Sequence, residues 1–298
     1  MTYRDILLKA EKILCNSGID EAKNDAWLLF EYVFKMARHE YFMKMNDTIT
    51  DNICLNDKYI KCVERRASHV PLQYITGCQE FMGYNFSVNE SVLIPRQDTE
   101  ILVERALEAL KSMNVSELNF LDMCTGSGCI AISLYLKAVQ HGIKSVKCTA
   151  VDISKEALLV AKNNAIANGA GNIEFVHSNL FEQFGKNSDC GNRIKYDMIV
   201  SNPPYIRSKD IEGLMPEVKN YEPRMALDGT EDGLLFYRTI TEESVRYIKE
   251  GGILLYEIGC DQGEDVKNIM EQNGYKCVSV IKDLAGLDRI VSGKRSYE

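Results

Sequence analysis

At 298 residues, with 45% hydrophobic and 26% charged side chains, the chain is too apolar for disorder and long enough for one large domain or two unequal ones. No run approaches the roughly 18 apolar residues of a membrane span, and the N-terminal MTYRDILLKAEKIL scatters charges where a signal peptide has an unbroken apolar stretch, so a cytoplasmic protein is expected. The net charge is −8, and residues 1–70 balance at 11 basic and 11 acidic side chains, which gives no basic footprint for nucleic acid.

The ten cysteines (Cys15, Cys54, Cys62, Cys78, Cys124, Cys129, Cys148, Cys190, Cys260, Cys277) are scattered without a C-x-x-C pair. Metal sites use close ligand pairs and disulfide frameworks belong to small secreted domains, so free thiols and no metal are expected.

Residues 1 to about 70 read as helices. The segment MTYRDILLKAEKIL is amphipathic; within 20–37, Ala26, Leu29, Phe30, Val33, Phe34 and Ala37 share one face, with Asp20 as its expected N-cap. Leu55, Tyr59, Cys62 and Val63 repeat the pattern in 51–67, after the polar patch 46–52, and Pro71 ends the run. In 78–94, Phe86 and Val88 followed by Val92, Leu93 and Ile94 predict a hairpin turning at Asn89-Glu90-Ser91, closed by Pro95. Asp98 or Thr99 then caps a helix to about 112.

From about 118 strands and helices alternate. Strands are expected at 118–123, 146–152, 173–177, 196–201, 253–259, 276–281 and 289–292, with helices at 128–141, 154–168, 232–249 and 262–273. Such alternation implies parallel βαβ units in a doubly wound, Rossmann-like α/β sheet. The link between the last two strands is too short for a helical crossover, so they pair antiparallel. The expected organisation is a helical domain over 1–75, a hairpin linker over 76–97 and an α/β domain over 98–298.

The first strand of that domain leads into Asp122-Met-Cys-Thr-Gly-Ser-Gly-Cys-Ile-Ala131. Gly126 and Gly128 permit a sharp turn and close approach to a ligand at a helix N-terminus. Asp152, 24 residues past Gly128 at the end of the next strand, suits ribose hydroxyls. Loop and acid together point to a nucleoside cofactor. The spacing also fits a dinucleotide fingerprint, but a carboxylate at Asp122 would repel a pyrophosphate and can pair with the ammonium of an amino-acid moiety. Asp122 as a turn or helix-capping residue is the alternative.

The fourth strand runs into Asn202-Pro203-Pro204-Tyr205. Two prolines remove two backbone donors and leave carbonyls as the only main-chain polar groups. Asn202 adds a side-chain carbonyl acceptor, so two acceptors can hold both hydrogens of one NH₂ group and direct its lone pair. Tyr205 offers a ring face for a planar group. This suits transfer of an activated methyl to a planar nitrogen, where positioning does most of the work. His39, His69, His141 and His177 fall outside both motifs.

In this order and 76 residues apart, Gly126 to Asn202, the two motifs resemble the N5-glutamine methyltransferases that modify peptide chain release factors. Pro71-Leu-Gln-Tyr-Ile-Thr-Gly77, Glu80-Phe-Met-Gly83, Leu93-Ile-Pro-Arg96 with Asp98-Thr-Glu100, and Glu222-Pro223 with Ala226-Leu227 extend the likeness. The resemblance implies a Rossmann-like class I methyltransferase sheet, parallel with an antiparallel last strand, and S-adenosyl-L-methionine as cofactor, released as S-adenosyl-L-homocysteine. It implies methylation of the glutamine in the Gly-Gly-Gln motif of class 1 release factors, gripped in part by the helical domain. Asn202 and the Pro203 carbonyl would hold the acceptor amide, with Pro204 and Tyr205 beside it. Cys124, Thr125, Gly126, Ser127 and Gly128 would wrap the methionine part, Asp152 would take the ribose with Ile153 also at the cofactor, and Ser178, Asn179, Leu180 and Phe181 would lie by the adenine. Cys124 stands where glycine is common and Asn179 where the family more often has Asp. Arg96 and Glu100 either line the site or pin the hairpin.

The rival readings are an N6-adenine DNA methyltransferase, which shares an N-P-P-Y turn, and a methyltransferase of rRNA or another protein glutamine. A cofactor-binding module without turnover, or a dehydrogenase, would have no use for the intact Asn202 turn.

Overall fold

The structure is a computed structural model and describes residues 1–49, 53–113, 115–184 and 195–296. Cys190 and residues 50–52 of the polar patch lie outside the described residues; the other nine cysteines are free thiols. The chain divides into two compact units, one of Met1–Cys78 with Met215–Tyr221, the other of Gln79–Leu214 with Glu222–Glu298.

The first unit is helical: α1 (Tyr3–Asn16), α2 (Ala22–Phe34), α3 (Arg38–Lys44), α4 (Ile53–Ala67) and α5 (Leu72–Thr76). Thr2 and Asp5 form a reciprocal cap at the start of α1. Asp20 caps nothing: α2 starts at Ala22 behind Glu21 without a side-chain bond. Pro71 ends one helix and also opens the short α5, whose first turn tolerates its missing N–H. Ile6, Leu14, Leu29, Phe30, Tyr59 and Val63 are buried. The ring of Phe30 meets those of Trp27, Phe34, Tyr41 and Tyr59 at 4.6–5.8 Å.

The hairpin differs from the sequence expectation. Strands β1 (Cys78–Phe81) and β2 (Tyr84–Ser87) turn at Met82 and Gly83, with φ of 54° and 82°. Two successive left-handed residues match the twist of a two-residue hairpin, which the segment at 89–91 does not offer. There Asn89 Oδ1 accepts from Ser91 N at 2.9 Å in a side-chain turn, and Val92 and Ile94 are buried without being strand.

The second unit continues with α6 (Gln97–Met113), β3 (Glu117–Met123), α7 (Cys129–Gln140), β4 (Ser145–Asp152), α8 (Lys155–Ala167), β5 (Glu174–His177) and β6 (Tyr196–Ser201). The short α9 (Pro216–Tyr221) falls in the segment that belongs to the helical unit. Then come α10 (Arg224–Leu227), α11 (Leu235–Ser244), β7 (Ile248–Glu257), α12 (Gly263–Gln272), β8 (Tyr275–Lys282) and β9 (Asp288–Arg295). The expected helix 232–249 is shorter, because Ile248 already pairs with Tyr196 of β6.

The seven strands order as β5-β4-β3-β6-β7-β9-β8. The pairs from β5 to β7 are parallel and β9 lies antiparallel to both β7 and β8. Every residue of β6 is buried, as in a strand covered on both faces. The order reverses between β3 and β6, which puts the carboxyl ends of these neighbours at the topological switch where α/β sheets bind ligands. Among the described residues, no helix is long and apolar enough to cross a membrane.

Candidate active site

The carboxyl ends of β3, β4, β6 and β7 carry, in turn, the glycine loop, Asp152, the Asn202 turn and Glu257. A cavity of about 720 Å³ opens over them, within the size of small-molecule sites. Its lining includes Cys124, Gly126, Asp152, Ile153, Asn179, Leu180, Asn202 and Pro204. It extends past Ser91–Leu93 to Pro223–Ala226 and Phe236. Asp122, Thr125, Ser127, Gly128, Pro203 and Tyr205 are not among the lining residues.

The glycine loop is shaped by both of its carboxylates. Asp152 Oδ2 accepts from Gly126 N and its Oδ1 from Ser154 N, each at 2.8 Å. Burial raises its pKa, and these backbone donors oppose the rise. Gly126 has φ +54°, and a Cβ there would meet no atom within 4 Å, so the loop leaves open space beside the cavity. Gly128 has a different reason: a Cβ would come 3.0 Å from Ile132 Cδ1 and 3.1 Å from Ala161 Cβ, against the packing of α7 on α8. Asn164, missed in the sequence, donates from Nδ2 to Ser127 O at 2.9 Å and to Ser87 O at 3.1 Å, tying the loop to β2.

Asp122 is fully buried. Its Oδ2 accepts from Thr125 Oγ1 at 2.6 Å and from Ala131 N, in the first turn of α7, at 3.2 Å. That geometry is the turn-and-cap alternative, while Oδ1 stays unpaired among the described residues. Burial pushes its pKa up to about 7. Cys124 adopts φ +65°, a left-handed conformation that favours glycine. Burial, with Asp152 and Asp122 nearby, pushes its thiol up and keeps it un-ionised. A thiolate at that wall would compete for an activated methyl group.

Asn179 donates from Nδ2 to Glu182 Oε1 at 2.6 Å, which leaves its carbonyl oxygen available to a ligand amino group. The Gly126 gap, the Asp152 carboxylate and the Asn179 carbonyl, all on the cavity wall, are thus space and acceptors of the kind an adenosyl group requires. On these grounds the residues present fit S-adenosylmethionine.

The Asn202 turn is clamped from several sides. Gln262, only 2% exposed, donates from Nε2 to Tyr205 O at 3.0 Å and to Gly233 O at 3.3 Å. Ile206 N donates to Leu227 O and Gly229 N to Ile206 O, so the 227–233 loop runs alongside. The Tyr205 hydroxyl donates to Glu257 Oε1 at 3.5 Å, and Asn202 Nδ2 donates to Thr99 Oγ1 at 3.4 Å. Burial pushes the Glu257 carboxyl up to about 7, with the Thr99 hydroxyl and Arg289 opposing. Arg96 pairs with the buried carboxyl of Glu222, and Glu100 Oε1 accepts from Met82 N, so Glu100 pins the hairpin. The sequence marked Thr99 only as a candidate helix cap and within Asp98-Thr-Glu100, and Glu257 only as an acid ending the apolar run ILLYE; Gln262 carried no signal.

Two family profiles match the chain: PrmC N-terminal domain over residues 5–77 and Methyltransferase small domain over 97–217. The release factor glutamine methyltransferase of Clostridium acetobutylicum is 38% identical over 99% of this chain and 99% of its own length. Those of Fusobacterium nucleatum subsp. nucleatum (39% identical, covering 99% of this chain and 79% of that protein) and Bacillus cereus (38% identical, 98% of each) are similarly close. Among solved structures, a T. thermophilus 16S rRNA N2 methyltransferase in complex with AdoMet and guanosine superposes with a TM-score of 0.51 at 14% identity, over 73% of this chain and 49% of that one, a likeness of fold.

Proposed function

Since the chain belongs to the release factor glutamine methyltransferase family, we propose how its own residues carry out that reaction. The enzyme is an S-adenosylmethionine-dependent protein methyltransferase, and it methylates the side-chain amide nitrogen of the release factor glutamine. The reading of the site rests on one observation: a single cavity is lined both by the acid and glycine of a nucleoside site, Asp152 and Gly126, and by Asn202 and Pro204 of the acceptor turn.

Bound there, S-adenosylmethionine supplies a methyl group activated by its sulfonium. Asp152 and Ile153 hold the ribose, Asn179 and Leu180 flank the adenine, and Cys124 to Gly128 curve round the amino-acid part. Asn202 Oδ1 and the Pro203 carbonyl accept the two hydrogens of the glutamine amide. That grip turns the nitrogen lone pair toward the methyl carbon, and Tyr205 packs on the amide plane. An amide nitrogen is a poor nucleophile, so in-line positioning is the main contribution of these residues. We assign the substrate to class 1 release factors, which carry the Gly-Gly-Gln motif, and the enzyme to the cytoplasm. The net charge of −8 argues against nucleic acid, and the relatives do not favour the DNA adenine alternative.

The test offers labelled S-adenosylmethionine to the enzyme with a release factor, with its Gly-Gly-Gln→Gly-Gly-Ala variant and with duplex DNA. Label should enter only the glutamine-bearing protein. Label in DNA, or equal label in the Ala variant, would overturn the assignment of acceptor.

A further inference from the structure

Two of the four residues in the acceptor turn, Pro203 and Pro204, carry no N–H, so donors from elsewhere in the chain have to hold its main chain. Gln262 brings one. It is buried at the start of α12, and its own main chain is bonded on both sides: Gln262 N donates to Gly259 O and Val266 N to Gln262 O, each at 3.0 Å. The side chain has two amide hydrogens and one oxygen to place. Nε2 donates to Tyr205 O at 3.0 Å and to Gly233 O at 3.3 Å, while Oε1 accepts from Gly259 N at 3.0 Å. One orientation satisfies all three contacts; the flipped amide would set oxygen against two carbonyls and NH₂ against an N–H. Two glycines leave the slot it fills: a Cβ at Gly233 would lie 2.6 Å from Nε2, and one at Gly259 would lie 2.9 Å from Oε1. The two carbonyls belong to separate stretches of the cavity wall. Tyr205 O ends the turn whose Asn202 and Pro204 line the cavity, and Gly233 O lies between Thr230 and Phe236, which line it too.

We propose that Gln262 is a positioning residue for methyl transfer: by holding Tyr205 O and Gly233 O from one fixed amide, it sets the acceptor turn and the 230–236 wall at the spacing that aligns the substrate amide. It acts through the turn, and it is not itself among the lining residues. The inference rests on the role proposed above for Asn202 and the Pro203 carbonyl. Its signature is kinetic. Without the two bonds the turn shifts and alignment is lost, while Gly126, Asp152 and Asn179, which follow or end other strands, still hold the cofactor.

The experiment uses the full-length enzyme with labelled S-adenosylmethionine and a release factor, and counts competent enzyme by cofactor titration. Gln262→Met keeps the length of the side chain and removes its amide. Its kcat per cofactor site should drop about ten- to a hundredfold, the scale of a misplaced reacting group, with the Kd for S-adenosylmethionine changed less than about threefold. Gln262→Glu adds a readout that lost packing alone would not produce. Burial raises the pKa of the new carboxyl, to about 8–9 in known buried cases. While neutral it donates one proton to Tyr205 O and accepts from Gly259 N; once ionised it turns only lone pairs on both carbonyls. The ratio of its kcat to that of wild type should therefore fall about fivefold or more as pH is raised from about 6 to about 9.5. The ionisable neighbours are Asp261, paired with Arg207 at 2.8 Å, and Asp288, paired with Lys282 at 3.1 Å and beside Gly263. With Glu264 and Asp265 of the first turn of α12, and Glu257 at the Tyr205 hydroxyl, they are common to both proteins and cancel in the ratio. Wild-type turnover in Gln262→Met, a pH-independent ratio in Gln262→Glu, or cofactor affinity falling in step with kcat would each overturn the assignment. Asn202→Ala is run alongside. If it is inactive, a normal Gln262→Met sinks only the role of Gln262; if it is active, the parent reading fails first.

Discussion

Asp122 has no solvent exposure, and among the described residues only two donors, Thr125 Oγ1 and Ala131 N, meet its carboxyl. Burial raises its pKa from the ordinary 3.8 to about 7, and the nearby Asp152 adds to the rise. Between those values the folded chain holds a proton that the unfolded chain has lost. Stability therefore falls as pH climbs from about 4 to about 7 and is flat, for this group, above that. Asp122→Asn cannot ionise and lacks this slope. The difference in stability, variant minus wild type, should rise across that window by up to about 4 kcal/mol and then level off. Chemical denaturation at several pH values reads it, and a difference independent of pH would show that Asp122 is ionised throughout. Cys124 carries strain of another kind. A non-glycine residue at φ +65° costs about 1–2 kcal/mol, part of which glycine returns through its greater freedom when unfolded. Cys124→Gly should thus leave stability equal or raise it by up to about 1 kcal/mol, as measured by thermal unfolding.

At the scale of elements, the acceptor turn depends on a loop that contributes little chemistry of its own. A Cβ at Gly229 would lie 2.7 Å from Tyr205 Cα and 2.9 Å from Pro204 O; one at Gly233, where φ is +75°, would lie 2.4 Å from Tyr205 O. Backbone cannot swing aside as a side-chain tip does, so Gly229→Ala must displace the Asn202 turn itself. Shifts of about 1 Å cost roughly a hundredfold in rate when reacting groups depend on alignment. Gly229→Ala should lose about that much kcat while still binding S-adenosylmethionine, and calorimetric titration beside turnover checks the split. The motifs that sit on one strand end each were legible in the sequence: Gly126 and Gly128, Asp152, and Asn202 to Tyr205 declare themselves by residue type and local spacing. So were the strand–helix alternation and the antiparallel last strand. The contacts that Thr99, Glu257 and Gln262 make with the turn were not legible, because their partners are about 50 to 100 residues away and no local pattern marks such a long-range hydrogen bond. The hairpin was misplaced for a related reason. Asn89 and Ser91 are turn formers by composition, whereas the turn sits where Met82 accepts φ 54°, a conformation that its residue type disfavours.

For the whole molecule, the segment Met215–Tyr221 belongs to the helical unit although the chain on either side of it belongs to the α/β unit. Its Glu217 meets Arg66 at 3.1 Å and His69 Nδ1 at 3.1 Å, and Tyr221 Oη donates to Ser68 O at 2.7 Å. Arg66, 8% exposed, also pairs with Asp25 at 2.7 Å and donates to Val70 O at 3.3 Å. One guanidinium therefore joins α2, the end of α4 and the returning segment. Removing one partner of a buried pair costs about 3–5 kcal/mol, because the other charge is left without compensation, and Asp25 is itself only 6% exposed. All of these contacts lie within one unit, whereas every residue lining the cofactor cavity lies in the other. Arg66→Ala should then lower the unfolding free energy of the helical unit by about 3–5 kcal/mol and leave the Kd for S-adenosylmethionine unchanged. Saturating cofactor, at about 100 times Kd, should protect the α/β unit by about 2.7 kcal/mol in wild type and variant alike. Scanning calorimetry with and without cofactor measures both effects, and a weakened cofactor site in Arg66→Ala would show that the two units share stability that their separate residue sets do not suggest.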